Sequence, residues 1–124
     1  MSTPKLSLSI GWHPDVPNPM TPDEVRQGLA GAQEKVAAAG HTLELCLLRA
    51  QPDDLALVEA TLRAKRWHVV VVGAGIRLQA KHHLLFETIV NLVHREAPAA
   101  AIGFNTTPLD TADAVLRFIE GDRS

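Results

Sequence analysis

Cysteine is nearly missing. Cys46 is the only one in 124 residues, so no internal disulfide framework can form, and the thiol content suits a reducing compartment. No charge of one sign dominates either. The chain carries 12 basic and 14 acidic residues, well mixed, for a formal net charge of −2. That balance argues against nucleic acid or an anionic membrane as a default partner. No apolar run approaches the roughly 20 residues of a spanning helix. The opening Met1–Trp12 stretch lacks a basic segment followed by a long apolar one and is not read as a secretory signal. There is no His-Glu-x-x-His pattern and no paired cysteine spacing, so no metal site is expected. Low-complexity tracts and fixed-period repeats are also missing. What is there is 46% apolar and 21% charged residues, an ordinary balance for one soluble, cytoplasmic α/β domain over residues 1–124.

The recurring feature is a rhythm of short apolar run, turn and helical pattern. Leu6-Ser7-Leu8-Ser9-Ile10 alternates, which predicts a strand with one strongly buried face, ended by Gly11. The proline-rich stretch from Trp12 to Met20 reads as a loop. Thr21, Pro22 and Glu24 then form a helix-start signal of the capping-box type. Val25, Leu29, Ala32, Val36 and Ala39 fall on one helical face, and Gly40 suits the stop. His41 to Leu48 reads as the second strand, and a helix follows from near Pro52 with Leu55, Val58 and Leu62 inward. Val69-Val70-Val71-Val72 gives the strongest strand signal. Four β-branched residues without alternation imply burial on both faces, as in a parallel sheet covered by helices. Gly73 to about Ala80 reads as a link to a third long helix that ends before Pro98. Ala99 to Phe104 is a fourth strand. Asp110 or Thr111 opens a last helix with Val115, Phe118 and Ile119 inward, and the tail Gly121-Asp122-Arg123-Ser124 is expected to fray.

Strand and helix thus alternate four times. This predicts a three-layer α/β/α arrangement around a four-stranded parallel sheet of order 2-1-3-4, with right-handed crossovers. In rhythm, over nearly its whole length, the chain resembles the flavodoxin-like, Rossmann-like doubly wound superfold. The resemblance is one of architecture and implies no activity. A phosphoacceptor receiver would carry an aspartate after the third strand, where Gly73 stands. The Trp12–Met20 segment does not match a flavodoxin phosphate loop, and no cysteine follows the first strand as a low-molecular-weight phosphatase would need.

In such sheets ligands bind beyond the carboxyl ends of the strands, at the switch point between strands 1 and 3. Gly11-Trp12-His13, Gly73-Ala74-Gly75-Ile76-Arg77 and Asn105-Thr106-Thr107 stand at those ends. Glycines let backbone amides approach a ligand closely, an arginine grips carboxylate or phosphate bidentately, and Asn and Thr add neutral donors. The expectation is therefore a pocket for a small anionic or phosphorylated ligand lined by Gly11, Trp12, Gly73, Gly75, Arg77, Asn105, Thr106 and Thr107. Gly73-Ala74-Gly75 lacks the third glycine of the dinucleotide fingerprint and follows the wrong strand for it, so no cofactor is named. Two alternatives stand beside this one. The first is an enzyme using the same pocket, with His13 as general acid/base and Asp15 as its orienter. The second is an oligomeric protein-interaction module without a small-molecule ligand, whose loops or edge strand dock another chain; Trp12, read as an exposed loop residue, is a stacking lid or a subunit contact. Edge strands open to pairing suggest a homodimer. Cys46 is expected to be a buried, inert thiol.

Overall fold

The computed structural model describes residues 3–120; the tail expected to fray lies outside the described residues. In chain order the elements are β1 (Leu6–Trp12), α1 (Pro22–Ala38), β2 (Thr42–Leu48), α2 (Asp54–Ala64), β3 (Val69–Val72), α3 (Ala74–Arg77), α4 (His83–Glu96), β4 (Ala101–Phe104) and α5 (Thr111–Glu120), with 3-10 turns at Ala80–His82 and Pro108–Asp110. The four strands form one parallel sheet in the order β2-β1-β3-β4. This is the expected doubly wound order.

Local chemistry accounts for the element boundaries. At the start of α1 the Glu24 amide donates to Thr21 Oγ1 at 3.1 Å, and the Thr21 amide donates back to Glu24 Oε1 at 2.9 Å. Two otherwise orphaned donors are satisfied together. Gly40 then takes a φ of +90°, a left-handed conformation that costs glycine nothing. The start of α2 is set by the buried Asp54, whose carboxylate accepts from the amides of Arg49 and Gln51.

Two cores flank the sheet. Leu8, Ile10, Leu48, Val70 and Val72 pack with Val58 and Leu62 of α2 and Ile89 and Val93 of α4. Leu43, Val69 and Val71 pack with Ala32 and Val36 of α1 and Ala114 and Val115 of α5. Successive strand side chains point to opposite faces, so helices cover both sides, and all four valines of β3 are fully buried. Cys46 is buried in the first of these cores. Burial pushes its thiol above the usual range.

Three expectations need correction. β1 does not end at Gly11. Gly11 and Trp12 continue the ladder opposite Leu47 and Leu48, and Trp12, only 7% exposed, extends the Leu8–Ile10 face into the core. It is not an exposed loop residue, because in-register β2 keeps the backbone extended past the glycine. Nor is only one face of β1 buried: Ser7 and Ser9 are 0% and 4% exposed beneath the α1 and α5 layer. The segment after β3 is not a plain link, since Ala74–Arg77 closes one helical turn.

The sheet edges differ. On β2, Glu44 pairs with Lys65 at 2.6 Å. On β4 the Phe104 carbonyl accepts from Arg117 Nη2 at 2.7 Å. No helix among the described residues is long and apolar enough to cross a membrane.

Candidate ligand site

The parallel sheet gathers the carboxyl ends of β1, β3 and β4 at one pole. The Gly73 amide donates to the Ile10 carbonyl at 2.8 Å, and the Ala74 amide donates to Asn105 Oδ1 at 2.7 Å. Asn105 is 4% exposed, and its Nδ2 donates to Thr111 Oγ1 at 2.8 Å. One buried amide therefore ties the β3–α3 turn to the start of α5. Buried polar groups satisfied at both ends fix loop geometry more sharply than packing alone.

Above this tie lies a cavity of about 250 Å3. Ser9, Gly11 and Trp12 of β1 form its base. Val25 and Leu29 of α1 and Asn18, Pro19 and Met20 of the preceding loop close one side. Gly73, Ala74, Gly75, Leu78 and Gln79 form the second wall, and Asn105 through Pro108 form the third. The hollow has a sequence cause. On the cavity side β1 carries Ser9 and Gly11, so little side-chain volume fills the space under the first turns of α1.

Seven of the residues expected to bind a ligand line this cavity: Gly11, Trp12, Gly73, Gly75, Asn105, Thr106 and Thr107. Arg77 and His13 do not. The Arg77 guanidinium turns the other way. Its Nη2 donates to the Asn105 carbonyl at 2.8 Å, and it sits 5.6 Å from the centre of the Phe104 ring. Its Nε is buried with no partner among the described residues. His13 Nδ1 accepts from the Asp15 amide at 3.1 Å within the loop itself. The Asp15 carboxylate lies 3.7 Å from that nitrogen and pairs with Arg26 Nη2 at 2.8 Å.

The loop amides are also taken. The amides of Thr106 and Thr107 donate to Asp110 Oδ1 at 2.9 and 3.0 Å, and the Thr106 hydroxyl donates to Oδ2 at 2.6 Å. Burial pushes the Asp110 carboxyl up, but these bonds outweigh it and hold the group below its usual range. Asp110 thus occupies the donors that an external anion would have used. No charged side chain lines the cavity among the described residues, and no group of three or more metal-ligating side chains occurs among them.

Sequence reasoning missed Ser9, Asn18, Met20, Val25, Leu29, Leu78 and Gln79. The signal for the first was available: Ser7-x-Ser9-x-Gly11 on a strand whose opposite face reads Leu8-x-Ile10-x-Trp12 marks a buried face short of volume. The others depend on how α1 and α3 lean over that face. His82 was also missed as a neighbour of the site. Its ring lies 4.8 Å from that of Trp12, centre to centre, and partial burial, with Lys81 adjacent, holds its pKa below the usual value.

Compared with known proteins, the chain matches no family model and no curated protein.

Proposed function

We propose that the protein is a small-molecule-binding module that holds a compact, uncharged and largely apolar ligand in the hollow at the carboxyl ends of its strands. The observation that carries this reading is the lining: an apolar wall of Trp12, Met20, Val25, Leu29 and Leu78, interrupted only by neutral polar groups. Size supports it as well. An apolar cavity of ~150 Å3 suffices for benzene, while sites for drug-sized molecules start at roughly 300 Å3. The 250 Å3 found here suits a ligand of one or two rings and is too small for a dinucleotide. The anionic ligand expected from the sequence relied on Arg77, on the Thr106 and Thr107 amides and on the Gly73–Gly75 backbone; of these, Arg77 and the amides of Thr106, Thr107, Gly73 and Ala74 are engaged elsewhere. No acid–base step is assigned to His13, which stands outside the lining.

The test is a thermal-shift titration with neutral one- and two-ring compounds beside inorganic phosphate and benzoate. A ligand that binds only the folded state raises its melting temperature. Neutral rings should raise Tm in a saturable way, and the two anions should not. Stabilisation by phosphate or benzoate alone would return the site to an anionic ligand. No shift with any compound at millimolar concentration would end the binding-module reading.

One observation favours a second reading, a self-associating module. The five exposed large apolar side chains among the described residues, Leu57, Leu78, Leu84, Phe104 and Leu109, all lie at or within about one helical turn of the pole where the strands end. Exposed apolar side chains gathered towards one pole favour an interaction surface there. Sedimentation should then give the mass of a homodimer, and a monomer mass at all concentrations would remove this reading.

A further inference from the structure

Trp12 is 7% exposed as a residue, but its indole N–H is not among the described atoms sealed from solvent without a partner, and no described group accepts from it. A donor that stays open on an otherwise buried ring is available to a guest. Here the N–H stands at the wall of the hollow, close to Gly75. A methyl group in place of the Gly75 hydrogen would lie 2.9 Å from Trp12 Cδ1, 3.5 Å from Trp12 Nε1 and 3.5 Å from Asn18 Nδ2. Two side chains, the Trp12 indole and the Asn18 carboxamide, therefore converge where Gly75 leaves room.

Each of the two amide side chains at that wall is oriented by one internal bond. Asn18 Oδ1 accepts from the Met20 amide at 3.0 Å, which fixes the carboxamide and leaves Nδ2 as a donor without a partner. Gln79 Nε2 donates to the Gly75 carbonyl at 3.2 Å, which leaves Oε1 as an acceptor without a partner. Both residues line the cavity. The wall beside Gly75 thus offers two donors, Trp12 Nε1–H and Asn18 Nδ2–H, and one acceptor, Gln79 Oε1.

We infer that the ligand is a ring lactam, a flat cyclic amide whose carbonyl and N–H lie side by side on one edge. Its carbonyl oxygen has two lone pairs and takes both donors, while its N–H donates to Gln79 Oε1. The remaining ring edge meets Met20, Val25 and Leu29. A carboxylate would satisfy the two donors but would set a negative oxygen against Gln79 Oε1, with no cation in the lining to offset it. A plain hydrocarbon would leave all three groups unpaired and dry, the costliest outcome for buried polar atoms. This inference rests on the binding-module reading and narrows it.

The test uses 2-pyridone, N-methyl-2-pyridone, toluene and benzoate as probes, with affinities from isothermal titration. The indole N–H resonance of Trp12 is followed by NMR and distinguished from that of Trp67 with the Trp67→Phe variant. 2-Pyridone should bind at least about tenfold more tightly than its N-methyl analogue or toluene, because a site built around hydrogen bonds rejects analogues that lack them. It should also move the Trp12 resonance downfield. Gln79→Met should erase the preference over the N-methyl compound. Asn18→Asp, which keeps the bond from the Met20 amide but replaces the donor with an acceptor, should weaken 2-pyridone about tenfold. Equal affinities for 2-pyridone and toluene, or variants that bind like the parent, would overturn the lactam while leaving a small-molecule site in place. Preferred binding of benzoate would overturn it in favour of an acid. Failure of every probe to bind would overturn both readings.

Discussion

On the side of β1 that meets α2 and α4 stand Leu8, Ile10 and Trp12, at 1%, 0% and 7% exposure; on the side that meets α1 and α5 stand Ser7, Ser9 and Gly11. One strand therefore serves two different physical regimes. The first face is filled, apart from the far end where Trp12 also borders the hollow, and its cohesion comes from apolar area removed from water. The second face is underfilled towards the carboxyl end and is held in shape by polar ties, with Asn105 joining two loops and Asp110 gathering three donors. A filled face gives stability without room for a guest. An underfilled face gives room, provided that something other than packing keeps its walls apart.

Mutations on the two sides should differ in size, pH dependence and sign. The largest effect is expected from Ile10→Ala on the filled face. It removes a fully buried side chain among close-packed neighbours, and losses of this type cost about 2–5 kcal/mol. Urea denaturation at pH 7 and again near pH 4 should give the same loss at both. A cost below about 1 kcal/mol would mean that this face is also loosely filled.

Asp110→Asn acts on the hollow side and is expected to cost about 1–2 kcal/mol at neutral pH, the range for hydrogen bonds to a charged group near a helix start. Its cost should vary with pH. The Asp110 carboxyl lies below its ordinary value in the folded protein, so its stabilisation is complete above the ordinary aspartate range. It is lost as pH falls through the folded value. The parent and variant stability curves should therefore converge in acid. Parallel curves down to pH 2 would show that Asp110 is not the tie.

The smallest effect, and the one of opposite sign, belongs to Ser7→Ala. Ser7 Oγ is buried beneath the α1 layer with no partner among the described residues. Removing an unsatisfied hydroxyl relieves its desolvation cost, so the variant should be more stable by up to about 1 kcal/mol. A loss of stability in the same urea experiment would reveal a partner for this hydroxyl and a better-satisfied hollow face than the one described.

Much of the fold was legible because its signals are local. The four valines could only be a buried strand, and the Thr21–Glu24 pair marks a helix start in any context. The strand order then placed Gly11, Gly73 and Asn105 at one pole. The site was legible as a location but not as a chemistry. Arg77 looked like an anion grip because its partners, the Phe104 ring and the Asn105 carbonyl, lie 27 and 28 positions away in the chain and leave no trace in its neighbourhood. Thr106 and Thr107 looked like free donors because Asp110 can reach back to them only once Pro108–Asp110 forms a 3-10 turn. Trp12 was misplaced for a related reason: a glycine before it suggests a strand end, and only register with Leu48 keeps the chain extended. Long-range pairing decided each of these cases, and no window of sequence contains it.

The bond from Arg117 to the Phe104 carbonyl has a consequence for crowded solutions. An open edge such as β4 is a template on which a foreign backbone can align and accrete. Here the carbonyl of the last β4 residue is already claimed by a cation fixed to α5, so a segment that pairs at that end must dislodge the guanidinium or tolerate it nearby.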